Sequence, residues 1–183
     1  MCGRYQFTYT AQKEDPQLSS ALLSAITQHM QGEIFPSQSV LIFYGTSQGA
    51  CAAIASWGFR YQKKRIINAR LETLQERKLF ASYAHLRCVL PCDCYFEWQT
   101  SKMGKRRMKI AHPSLKRLYL AGIYNEHMEA CVLTMKARGS LAAIHDRMPI
   151  VLDAQGMRAY LAGCQGVATI NAQLVAREAD PAI

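Results

Sequence analysis

The stretch Arg87–Lys136, RCVLPCDCYFEWQTSKMGKRRMKIAHPSLKRLYLAGIYNEHMEACVLTMK, decides the fold class. Arg87–Pro91, Cys94–Gln99, Arg106–His112, Leu118–Tyr124 and Ala130–Lys136 are short runs rich in Val, Leu, Ile, Tyr and Phe, and a turn centred on Gly104 separates the second from the third. Bounded apolar runs of this length read as strands. The middle of the chain is therefore a sheet. Working outward, Ser140–Ile144 predicts a helical turn, Met148–Leu152 a strand, and Asp153 the cap of a helix carrying Met157, Tyr160 and Leu161 and ending at Gly163. Thr169–Ala179 is expected to be helical. On the other side, residues 3–9 alternate as a strand, and Asp15-Pro16 is expected to open a helix whose Leu18, Leu22, Ala25 and Ile26 recur at helical spacing until Gly32. Ser39–Tyr44 and Ala50–Trp57 predict a hairpin, and Glu72–Phe80 a short helix.

At 183 residues the chain suits one domain, expected over 1–183 with 163–183 as a poorly defined tail. It has no run of eighteen apolar residues and no charged-then-apolar leader, which predicts a cytoplasmic protein. Seven cysteines are an odd number for a disulfide framework. The spacing of Cys88, Cys92 and Cys94 lacks the second, distant pair of a structural zinc site, so neither metal nor cofactor is expected. Lys and Arg total 22 against 13 Asp and Glu, and the excess is uneven. Trp98–Asn125 contains seven Lys and Arg and no acid, and Phe59–Leu71 contains Arg60, Lys63, Lys64, Arg65 and Arg70, again without one. Acid-free stretches of this kind suit a polyanion, or else are solvated hairpin tips.

Met1-Cys2-Gly3-Arg4 carries a second signal. With Met1 removed, Cys2 presents an amine and a thiol on adjacent carbons. The amine condenses with an aldehyde to an imine, and the tethered thiol adds to the same carbon and closes a thiazolidine. Elsewhere, polar residues border probable core: Asn68 after Ile66-Ile67, Glu97 between Phe96 and Trp98, and His145 shortly before Met148-Pro149-Ile150. A carboxylate, an amide and an imidazole in partly desolvated places are candidate acid–base and positioning groups.

Met1-Cys2-Gly3-Arg4, Trp57-Gly58, Asn68-Ala69-Arg70-Leu71-Glu72-Thr73, Tyr95-Phe96-Glu97-Trp98 and Ile144-His145-Asp146-Arg147-Met148-Pro149 stand in the order of motifs of the SOS response-associated peptidase family, the abasic-site processing proteins, which the chain resembles over about residues 2–152. The resemblance implies an α+β fold: a compact β-rich domain with a strongly curved, barrel-like mixed sheet and peripheral helices. It implies a monomer that crosslinks to abasic sites in single-stranded DNA, without membrane association, in a bacterial cytoplasm and at the nucleoid when acting. Its catalytic residues fall on Cys2 as nucleophile, Asn68 holding the N-terminal residue and sugar, Glu97 beside the amine and His145 beside the deoxyribose oxygen. DNA contacts are expected from Arg4, Arg70, Trp57, Lys63, Lys64 and Arg147. Phe59–Lys64 replaces the Pro-x-Trp element that commonly follows Trp-Gly in the family, and Cys94 stands at a usual glycine. The tail after Gly163 is short for the family, which predicts missing or replaced closing strands.

Two other readings stay open at this stage. One is a cysteine peptidase, hydrolysing only its own Met1 bond or substrates in trans, with lyase activity as a further expectation of the family. The other is a non-covalent single-stranded DNA-binding module resting on the basic stretches alone.

Overall fold

The computed structural model describes residues 2–13, 15–102 and 104–180. Its elements are β1 (Tyr5–Phe7), α1 (Ser20–His29), β2 (Gly32–Ile34), β3 (Ser39–Thr46), β4 (Gly49–Trp57), β5 (Phe59–Tyr61), β6 (Lys64–Ile66), β7 (Asn68–Arg70), α2 (Lys78–Ala81), β8 (Arg87–Cys92) and β9 (Cys94–Ser101). They continue with β10 (Gly104–Ala111), β11 (Leu118–Tyr124), β12 (Glu129–Lys136), β13 (Arg147–Pro149), β14 (Val151–Leu152), α3 (Ala154–Leu161) and β15 (Val175–Glu178).

An eight-stranded mixed sheet follows the order β13-β12-β4-β3-β8-β11-β14, with β7 joined to β12. Pairing of β11 with β12 brings the path back onto itself, which gives the sheet its barrel-like curvature. β12 pairs in parallel with both β4 and β7 and antiparallel with β13, so it ties chain-distant motifs into one wall. A second sheet, β15-β10-β9-β1-β2, carries the start of the chain, and β5 with β6 form a separate hairpin. The two sheets share a core in which Trp57, Tyr5, Tyr95, Tyr119, Phe7 and Phe43 are fully buried. This is the α+β architecture expected. No helix is long and apolar enough to cross a membrane among the described residues.

The predicted hairpin forms as β3–β4, in register Ser39↔Ser56 to Thr46↔Gly49. Gly45 within it lies so close to α3 that an added Cβ would run into the Leu161 carbonyl oxygen. Asp153 caps α3 as expected, accepting from the Gly156 amide at 2.7 Å.

Three elements differ from expectation. α1 begins at Ser20, capped by Ser19, whose Oγ accepts from the Leu22 amide at 3.2 Å. The expected cap, Asp15, is drawn away: its carboxylate accepts from Tyr119 Oη at 2.8 Å and lies 3.8 Å from Arg117. Residues 72–80 hold only a 3-10 turn (Leu71–Thr73) and the short α2, because Glu72 reaches out to Arg147 instead of lying along a helix. Finally, residues 169–179 are not helical. Val175–Glu178 adds as β15 to the edge of β10, in register Met108↔Glu178 to Ala111↔Val175, satisfying backbone groups an open edge would leave unpaired. The short tail thus supplies a closing strand.

Candidate active site and nucleic-acid face

β1 places the start of the chain between β2 and β9. Residues 2–4 continue that path, and the Phe96 amide donates to the Arg4 carbonyl at 2.9 Å. Cys2 is wholly buried, and its Sγ approaches the Arg4 carbonyl at 3.9 Å. Met1, and with it the expected removal of that residue, lies outside the described residues.

Asn68 opens β7 opposite Val132 of β12, and its Nδ2 donates to the Cys2 carbonyl at 2.9 Å. A side-chain amide held by a parallel strand pair therefore fixes the backbone of Cys2. Asn68 Oδ1 is buried and has no hydrogen-bond partner among the described residues, so it stands ready to accept from an incoming donor. Glu97 lies on β9 opposite Met108 and is 3% exposed. Burial pushes its carboxyl above the usual range, while the nearby His145 pulls the other way. Burial also pushes the Cys2 thiol far up, and the negative charge of Glu97 adds to the effect. Glu97 therefore stands between the other two, feeling the imidazole and raising the thiol.

His145 follows the 3-10 turn Gly139–Ala143. Its Nδ1 lies 3.0 Å from the Arg147 amide and 2.7 Å from Asp146 Oδ1. Neutral, that nitrogen accepts from the amide; protonated, it pairs with the carboxylate. With Nδ1 so occupied, proton exchange with a ligand falls to Nε2.

The expected DNA-contacting residues divide. Arg70 is exposed and, with Asn68, lines an open cavity of about 630 Å³ that also includes Tyr61, Arg77 and Lys78. Lys63 and Lys64 are exposed at the turn of the β5–β6 hairpin, where Gln62 has a positive φ of 54°. Arg4 lies over the rings of Phe35 (4.2 Å) and Trp98 (5.1 Å) and pairs with Glu33 at 3.2 Å. Arg147 is taken up differently: both terminal nitrogens donate to the Glu72 carboxylate at 2.9 Å, and one also reaches the Thr134 carbonyl at 2.8 Å. It anchors the segment that bears His145. Trp57 has no exposed surface to offer DNA. It packs 5.2 Å from Tyr5 and donates from Nε1 to the Ile67 carbonyl at 3.3 Å, bracing the residue just before Asn68.

Sequence reasoning gave no role to Glu72, Arg77, Lys78 or Glu129. Glu72 stood inside a quoted motif, and adjacent Arg77-Lys78 was a visible cationic pair. Glu129, 3% exposed, accepts from the Arg60 amide (3.0 Å), Arg60 Nε (2.7 Å) and Asn125 Nδ2 (3.0 Å), and so pins the basic hairpin to β12. Only tertiary structure pairs it with Arg60. Among the described residues, no three His, Cys, Asp or Glu gather as a metal site.

With the geometry in place, comparisons give it context. A family model described as SOS response associated peptidase (SRAP) matches residues 1–181. The abasic site processing protein YoqW of Bacillus subtilis (strain 168) is 28% identical over 181 residues, covering 88% of this chain and 80% of that protein. The abasic site processing protein YedK of Escherichia coli (strain K12) is 24% identical over 176 residues, covering 88% and 79%. A solved structure from Bacteroides thetaiotaomicron superposes with a TM-score of 0.78 at 18% identity, covering 97% of this chain and 91% of that one. One from Bordetella bronchiseptica gives 0.74 at 16% identity, covering 98% and 100%. These two speak to the fold alone.

Proposed function

Because the chain belongs to the SOS response associated peptidase family, we propose that it processes abasic sites in single-stranded DNA, crosslinking to them through Cys2 once Met1 is removed. The observation that carries this reading is the 2.9 Å bond from Asn68 to the Cys2 carbonyl, which fixes the main chain of Cys2 beside Glu97 and His145. Relatives named as abasic site processing proteins support it.

The chemistry follows from the groups. A thiol pushed up by burial is not a thiolate at neutral pH, so the amine attacks first. His145 Nε2 protonates the ring oxygen as the closed sugar opens to its aldehyde. Glu97 takes the proton of the ammonium form and passes it to solvent; the neutral amine adds to the carbonyl carbon, and the carbinolamine loses water to give an imine. The Cys2 sulfur then bonds to that carbon while its proton passes, by way of Glu97, to the nitrogen. One water leaves and no redox partner is needed. Closing the ring removes the imine that would otherwise acidify the neighbouring sugar carbon and invite strand cleavage.

A peptidase working through a Cys–His pair draws on a depressed thiol pKa, whereas the Cys2 thiol is pushed up. This weighs against that alternative. The test is adduct formation on a denaturing gel. Protein lacking Met1 is expected to form a heat-stable adduct with abasic single-stranded DNA and none with intact DNA. Cys2→Ala abolishes it, and Cys2→Ser leaves an imine that borohydride traps. An undiminished adduct in Cys2→Ala would overturn the reading.

A further inference from the structure

In an antiparallel sheet, directly opposed residues share a face and alternate residues switch faces. In the five-stranded sheet the inward face holds Ile34, Tyr5, Tyr95, Glu97 and Ile110. The outward face therefore holds the intervening residues, and one row runs straight across four strands. Arg4 meets Phe96, Phe96 is opposite Lys109, and Lys109 is opposite Arg177. A parallel row pairs Trp98 with Arg107, and beyond it Thr100 pairs with Lys105.

The charge on this face is poorly balanced. Glu33 is divided between Arg4 at 3.2 Å and Arg107 at 2.5 Å. Asp93, whose carboxyl feels Lys109, also lies 3.8 Å from Arg117. Glu178 falls on the opposite side, with Arg106 at 3.6 Å. Lys109 and Arg177, both exposed, are thus set directly opposite each other, a like-charge cross-strand pair that destabilises a sheet. The two flank a cavity of about 250 Å³ floored by Ala111, His112, Pro113 and Val175. His112 does not compete for an anion there. Its Nδ1 accepts from the Ser114 and Leu115 amides at 3.1 and 3.0 Å, leaving the proton on Nε2, 2.9 Å from Gln173 Oε1.

We infer that this outward face is a phosphate track: the row Arg4–Lys109–Arg177 carries the DNA backbone away from the abasic nucleotide, with one phosphate seated between Lys109 and Arg177. The inference rests on the proposed reading that DNA is the substrate. Charge complementarity argues for a polyanion, and continuity with Arg4, next but one to Cys2, argues that it is the strand already held in the site. Three strand spacings of about 4.8 Å give the row a length of roughly 14 Å, about four stacked nucleotides at ~3.4 Å each. The aromatic rings beneath the cations, Arg107 over Phe96 at 3.8 Å and Arg4 over Trp98 at 5.1 Å, hold the guanidiniums flat on the sheet.

The test is the salt dependence of binding to intact single-stranded oligonucleotides long enough to cover both site and row, read by fluorescence anisotropy. Lys109→Ala/Arg177→Ala is expected to reduce the log–log salt slope by about 1.4, two contacts at about 0.7 each. Lys13→Ala/Arg158→Ala, which removes the same charge elsewhere on the surface, leaves the slope unchanged. Equal slopes for both double variants, whether lowered or not, would overturn the track. Because intact DNA is used, the outcome is independent of crosslinking. Wild-type protein that forms no adduct with an abasic oligonucleotide refutes the proposed chemistry while the slopes still decide the track, and an adduct with coincident slopes refutes the track alone.

Discussion

In the proposed chemistry Glu97 and His145 hold different halves of the proton inventory, and single substitutions separate them. Glu97 is raised by burial yet surrounded by groups that favour its charge, which suits a base; His145, tied at Nδ1, offers Nε2 as an acid. Either loss is expected to slow single-turnover adduct formation by about 10²–10⁴. Raising the pH from about 6 to about 9 passes through the α-amine pKa of ~7.7–8.0 and supplies neutral amine unaided. Glu97→Gln therefore recovers with pH more than His145→Ala, whose missing acid is scarcer still at high pH. Parallel profiles, or recovery in the His145 variant alone, would show the roles to be misassigned. These residues were legible because each interrupts an apolar run with a polar group, and a strand does not put Glu between Phe and Trp without cause. Trp57 shows the limit of the resemblance, which implies a DNA contact there; packing against Tyr5 reveals the residue as an internal brace.

At the scale of elements, the clasp between the 3-10 turn Leu71–Thr73 and β13 links two motifs far apart in the chain. Two donors from Arg147 lower the Glu72 carboxyl to about 2, outweighing the opposing effect of burial. A folded pKa below the unfolded value means the stabilisation is full above about pH 4.5 and is lost as pH falls toward about 2. The Glu72 side chain is 49% exposed, so solvent screening limits the contribution to about 1 kcal/mol or less. Glu72→Gln is expected to lower unfolding free energy by that amount at neutral pH and to converge on wild type in acid; a gap that persists below about pH 3 in urea titrations would exclude the clasp as its source. The central strands were readable from their bounded apolar runs, and so was the cap of α3. The start of α1 was not. Asp15-Pro16 has every local mark of an N-terminus, but Tyr119 and Arg117, about a hundred residues on, claim the carboxylate. β15 was missed for the same reason. A strand whose partner is a distant edge carries little local signal.

Across the whole molecule, a net charge of +9 is sorted onto the hairpin of Lys63 and Lys64, the cavity beside Arg70 and the outward face of the smaller sheet, whereas the thiols are sorted inward. The charge was visible in the sequence as acid-free stretches; their division between faces was not, because strand parity decides it. The sorting of thiols makes the protein its own stopwatch. Cys164 is exposed and Cys51 partly so, while Cys2, Cys88, Cys92, Cys94 and Cys131 are buried. An alkylating reagent added to native protein should label the first two promptly and the others only as fast as the structure opens. Cys88 and Cys131 lie in the ring of the larger sheet and report global unfolding, but Cys2 precedes the first strand and is tied by the Asn68 side-chain amide. Mass spectrometry of peptides from a labelling time course should therefore show Cys2 modified ahead of Cys88. If the two advance together, peeling of the N-terminal segment is no easier than unfolding the whole. If Cys2 leads, the rate of that peeling is the rate at which the buried reagent is unsheathed.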